Sequence, residues 1–135
     1  MSNLFRVLLV VATLCATGGP GLAAAHFEAQ RPKDLYMAKR IAEIRDTTAK
    51  YQDLQAARAT GYVQASGNLP LLGYRFANPS IKTFAFERSS ALLYLKQGER
   101  WQLTGVEYAV QGEERPAMQP FPGIAWTREP AACRY

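Results

Sequence analysis

Met37, Ile41, Ile44, Thr48, Tyr51 and Leu54 recur at three- and four-residue steps, which sets them on one face of a helix. The opposite face carries Lys39, Glu43, Asp46, Lys50 and Asp53. Lys39–Glu43 and Asp46–Lys50 are four apart, a spacing worth a few tenths of a kcal/mol per pair. Pro32 and Asp34 suit a first helical turn, where proline needs no donor and a carboxylate complements the dipole. No Pro or Gly follows until Gly61, which reads as the stop. The spacing predicts a rod of about 25 residues, some 38 Å long at 1.5 Å per residue.

Beyond a polar stretch read as a loop, GYVQASGNLP, the period changes to two. Leu72, Tyr74 and Phe76 alternate, NPS marks a turn, and TFAFE alternates through Phe84 and Phe86. ALLYLK and RWQLTGVEYAV flank QGE and predict a hairpin. The tail from Gln111 is rich in Pro and Gly, with one short candidate strand at GIAWT. The expected class is α+β, with one long N-terminal helix packed on an antiparallel sheet of about four strands.

Glu107 interrupts the apolar strand LTGVEYAV. Before Gly105 the odd positions Trp101 and Leu103 are apolar; after it the even positions Val106, Tyr108 and Val110 are. A glycine at such a switch predicts a β-bulge. Glu107 then points away from Val106 and Tyr108, and is expected to be solvated or at the rim, since glutamate is seldom buried unpaired. Without the bulge it shares a face with Trp101 and Leu103 and needs a partner, for which Arg75 is the first choice.

The N-terminus changes the accounting. MSNLFR carries one charge, Arg6; VLLVVATLCA is apolar; TGGPG and LAAA follow. This is the order of a secretory signal peptide, with cleavage expected after Ala25. The apolar run is too short to cross a bilayer, which takes about 20 residues, so no stable membrane insertion is expected after cleavage. Leu14, before Cys15, is too large for a lipid-attachment site. The expected division is 1–25 signal peptide, 26–33 polar leader and 34–135 one domain, in an exported protein that is periplasmic or extracellular. Of 135 residues, 110 then remain, with 15 basic and 11 acidic side chains, enough for one small core. Cys133 is the one cysteine left, so no internal disulfide can form. Lysines and arginines are dispersed without a basic run, and the aromatics follow strand alternation, so a nucleic-acid partner is not expected.

TAKYQDLQAARATGY, GYRFANP, LLYL and LTGVEY together resemble a group of small exported bacterial proteins of unknown function. Their shared pattern runs A-T-x-x-Y-x-D, G-Y, G-[IY]-H-[YF]-x-N-P, L-x-Y and G-V-E-Y. The likeness covers about Thr48 to Tyr108. It implies Tyr51, Asp53, Gly61, Tyr62, Gly73, Asn78, Pro79, Tyr94, Gly105, Glu107 and Tyr108 as signature positions. Arg75 stands where the pattern has histidine. The resemblance implies export and one shared fold, and brings no activity.

Chemistry is sparse. His26, the sole histidine, would head the processed chain, and its imidazole and α-amine lack the further nitrogen ligand a copper site recruits. A Ser–His or Cys–His pair would need that same residue. Asp53 and Glu107 could form an acid–base pair, one from helix and one from sheet. No phosphate-cradling glycine motif occurs. Tyr51, Tyr62, Tyr74, Tyr94 and Tyr108 fall in the helix, its exit or the strands, either as core or as the lining of an apolar pocket with hydroxyls to orient a ligand. The candidate binding set is therefore Tyr51, Tyr74, Arg75, Tyr94, Glu107 and Tyr108, with no cofactor and no metal. The expected role is a non-enzymatic envelope protein binding a partner protein or a small apolar ligand. The alternatives are a small hydrolase-like enzyme using Glu107 with Asp53 or Arg75, and a structural or interaction module.

Overall fold

The computed structural model describes residues 3–10, 32–112, 116, 119 and 121–129. The helical stripe packs as its spacing predicts. In α1 (Pro32–Thr48) Ile44 and Thr48 are buried, while Met37 and Ile41 are partly buried against the core. Tyr51, in a 3-10 turn over Ala49–Gln52, and Leu54, in α2 (Leu54–Ala59), continue that face.

The single 25-residue rod is corrected to these three pieces. Asp53 takes an extended backbone (φ −86°, ψ 114°), and its Oδ1 accepts from the Gln55 N–H at 2.9 Å, capping α2. Upstream, the Thr48 and Thr47 hydroxyls donate to the Ile44 carbonyl at 2.6 and 3.0 Å, side-chain competition that loosens a helix end. Gly61, at φ +96°, closes α2. Its N–H reaches the Arg58 carbonyl and the Tyr62 N–H reaches Ala57, the paired bonds of a Schellman stop.

Six antiparallel strands form one sheet: β1 (Asn3–Val10), β2 (Val63–Leu69), β3 (Gly73–Ala77), β4 (Ala91–Gln97), β5 (Arg100–Gly112) and β6 (Thr127–Glu129), in the order β2-β3-β4-β5-β1-β6. The expected hairpin is β4–β5, turned by Gly98 at φ +60°. Two expectations change places. VQASGNL, read as loop, is β2, whose pairing with β3 shifts register between Gln64 and Asn68. TFAFE, read as a strand, is a turn with the isolated bridge Ala85–Arg88; it still delivers Phe84 and Phe86 to the core beside Tyr108. Residues 3–10, expected in a signal peptide, form β1, an internal strand between β5 and β6.

One sheet face meets the helices. Phe76, Leu92, Tyr94, Leu103, Val106 and Tyr108 are buried there with Ile44, Leu54, Ala57 and Tyr62. The tail closes this core with Phe121 and Trp126, both buried, Phe121 standing 5.5 Å from the Phe86 ring centroid.

Candidate functional site

The bulge expected near Gly105 in LTGVEYAV is present. Leu93 pairs with Gly105 and Tyr94 with Leu103, leaving Thr104 as the extra residue. Leu103 therefore shares the helix-side face with Val106 and Tyr108, and Glu107 points to the other side. Burial overturns the solvated reading: Glu107 is only 5 % exposed. Its carboxylate accepts from Arg75 Nε at 3.1 Å and Arg75 Nη2 at 2.9 Å, a fork-to-fork pair that is among the stronger charge-assisted contacts. Arg6 Nε, on β1, lies 2.9 Å from Glu107 Oε1.

The sheet register explains this triad. Arg75 lies opposite Leu93, and Leu93 opposite Gly105; Ala91 lies between Ala77 and Glu107; Arg6 lies opposite Ala109. Glu107 thus occupies the row between the two arginines, and each reaches it diagonally. Alanine and glycine along these rows leave space for long side chains to lie flat over the strands. Such a carboxylate is held by two cations and shielded from bulk water.

The six candidate residues do not converge. Arg75 and Glu107 meet on the outer face. Tyr51, Tyr74, Tyr94 and Tyr108 lie on the helix side, in or against the core. There the Tyr94 hydroxyl donates to the Tyr51 carbonyl at 2.6 Å and Tyr108 to the Phe86 carbonyl at 2.9 Å. Tyr62 likewise donates to Ser89 at 2.6 Å. Burial pushes the Tyr62 phenol up to about 12, and it also raises Tyr94 and Tyr108. These hydroxyls are spent on backbone carbonyls, so they brace loops against the core instead of presenting donors to a ligand. Asp53 caps α2 on the helix side and Glu107 lies beneath the sheet, so the two carboxylates do not share a cavity. His26 and Cys133 lie outside the described residues.

Sequence reasoning missed a cleft that the bulge itself creates. Arg45 and Thr48 at the end of α1, Ala49 and Gln52 in the 3-10 turn, and Leu103–Val106 of β5 enclose about 190 Å³. It opens beside β5, next to the last β1 pair, Val10–Gly105. Leu103 and Val106 supply an apolar floor, while Arg45 and Gln52 supply exposed polar groups. The space is below the several hundred Å³ of a drug-sized pocket and near that of a dry cavity that takes one benzene, about 150 Å³. The parity change at Gly105 was the available signal; the helix break that completes the wall was not.

Among the described residues no helix is long and apolar enough to cross a membrane. No family model matches the chain, and no curated protein or solved structure shows significant similarity to it.

Proposed function

We propose that this is an exported, non-enzymatic binding protein of the cell envelope, and that its cleft at the β5 bulge receives a single apolar anchor. That anchor is a side chain of a partner protein or a small aromatic ligand. The observation that carries the reading is the cleft of about 190 Å³, with an apolar floor at Leu103 and Val106 and polar groups at Arg45 and Gln52. Its size admits about one ring, and its polar groups can orient what the floor holds. Export rests on the signal-peptide order of the first 25 residues and on the resemblance carried by Thr48 to Tyr108. Catalysis by Glu107 is disfavoured by its burial and by its engagement with Arg75.

Native mass spectrometry of protein recovered from its own compartment tests the reading. A bound ligand or partner is expected with the wild-type chain, and its loss is expected with Ala49→Trp, which fills the cleft. Bare protein in every preparation, or equal binding by both chains, refutes it. N-terminal sequencing should return His26; Met1 in the recovered protein removes the export half.

A further inference from the structure

Processing after Ala25 would remove an internal strand. β1 pairs with β5 through eight successive positions, Asn3–Gly112 to Val10–Gly105, and with β6 through three, Leu4–Glu129 to Arg6–Thr127. The Thr127 hydroxyl also donates to the Arg6 carbonyl at 3.2 Å. A chain beginning at His26 would hold a slot with a row of β5 backbone groups on one side and β6 on the other. It would also have lost one of the two cations on Glu107.

We propose that the exported protein accepts in this slot an extended apolar strand of a partner protein, antiparallel to β5, with an arginine opposite Ala109. The proposal rests on the export reading above. β1 is the template: its sequence NLFRVLLV is apolar around one cation, and that cation meets Glu107 at 2.9 Å. Backbone pairing on two sides gives affinity, as in strand-addition complexes, and the buried carboxylate sets register. A second copy does not fit the same description. Its β5 offers no arginine from Gly105 to Gly112, and β5-to-β5 pairing leaves β6 without a partner.

The test uses protein expressed from the full-length sequence and recovered from the exported fraction. Intact mass and N-terminal sequencing first establish where the chain begins. The chain is then titrated with a synthetic peptide of residues 3–10, and with the same peptide carrying Arg6→Glu. Saturable binding is expected, with hydrogen-exchange protection gained at 105–112 and 127–129. The Arg6→Glu peptide should bind at least about tenfold more weakly, because like charges meet at a buried contact. A chain starting at His26 that binds neither peptide, or both equally, overturns the inference and leaves export standing. So does a β5-to-β5 dimer or a retained leader fragment already protecting 105–112. A chain starting at Met1 overturns export and the inference together.

Discussion

Glu107 shows how far a single residue can be read from a string. The bulge and the outward direction were legible, because alternation reports which face a side chain takes; Arg75 was named only for the arrangement without a bulge, and the structure joins the two. The burial of Glu107 was not legible, because alternation is silent about what lies across that face. The pair makes a firm prediction. Glu107→Ala strands the Arg75 guanidinium, whose side chain is only 14 % exposed, and should cost about 3–5 kcal/mol in urea denaturation. Replacing all three charges, Glu107→Leu with Arg75→Met and Arg6→Met, should recover most of that loss. The tyrosines give a pH signature. Burial raises Tyr62 from 10.0 to about 12 and lifts Tyr94 and Tyr108 as well, so the fold favours the neutral phenols. Stability should be intact below pH about 10 and fall as pH rises toward about 12, because unfolded chains ionise first. Circular dichroism followed alongside tyrosinate absorbance should show unfolding and ionisation rising together. Ionisation completed within a still-folded chain would contradict the buried assignment.

At the scale of elements, the apolar stripe from Met37 to Leu54 was legible and the break within it was not. Asp53 fits a charged helix face by spacing, yet a short acid can equally cap a new helix, and here it does. Asp53→Ala should therefore lower stability by about 1 kcal/mol, while Asp53→Asn or Asp53→Ser should be nearly neutral; thermal melts separate these outcomes. Gly61→Ala meets both the left-handed backbone and Asn78 Nδ2, 3.2 Å from the added carbon, with an expected cost of about 1–2 kcal/mol. Gly73→Ala should be worse, since its methyl would strike the Tyr94 carbonyl. β2 was illegible because VQASGNL lacks alternation; its register shift and half-exposed face remove the pattern that marks a strand. TFAFE failed the opposite way. Its alternation reports that Phe84 and Phe86 are turned to the core, and a turn can do that without a ladder.

At the scale of the whole molecule, class was legible and closure was not. The helix and the β4–β5 hairpin came from periodicity, whereas residues 3–10 were read as part of a signal peptide because a short apolar run suits both a signal peptide and a strand. The two roles separate experimentally. Val7→Pro removes a backbone donor opposite Tyr108 and should destabilise the full-length chain by about 1–3 kcal/mol. If processing follows Ala25, the exported chain should melt unchanged. The pairing of Leu4 with Glu129 also has a consequence in time. Residues 4–6 find this neighbour only after about 120 further residues have been added. At about 5–20 residues per second, some tens of seconds at the slow limit pass before both walls of their berth exist. Throughout that interval β1 keeps one edge without its neighbour, so the sheet is sealed last at the β6 side.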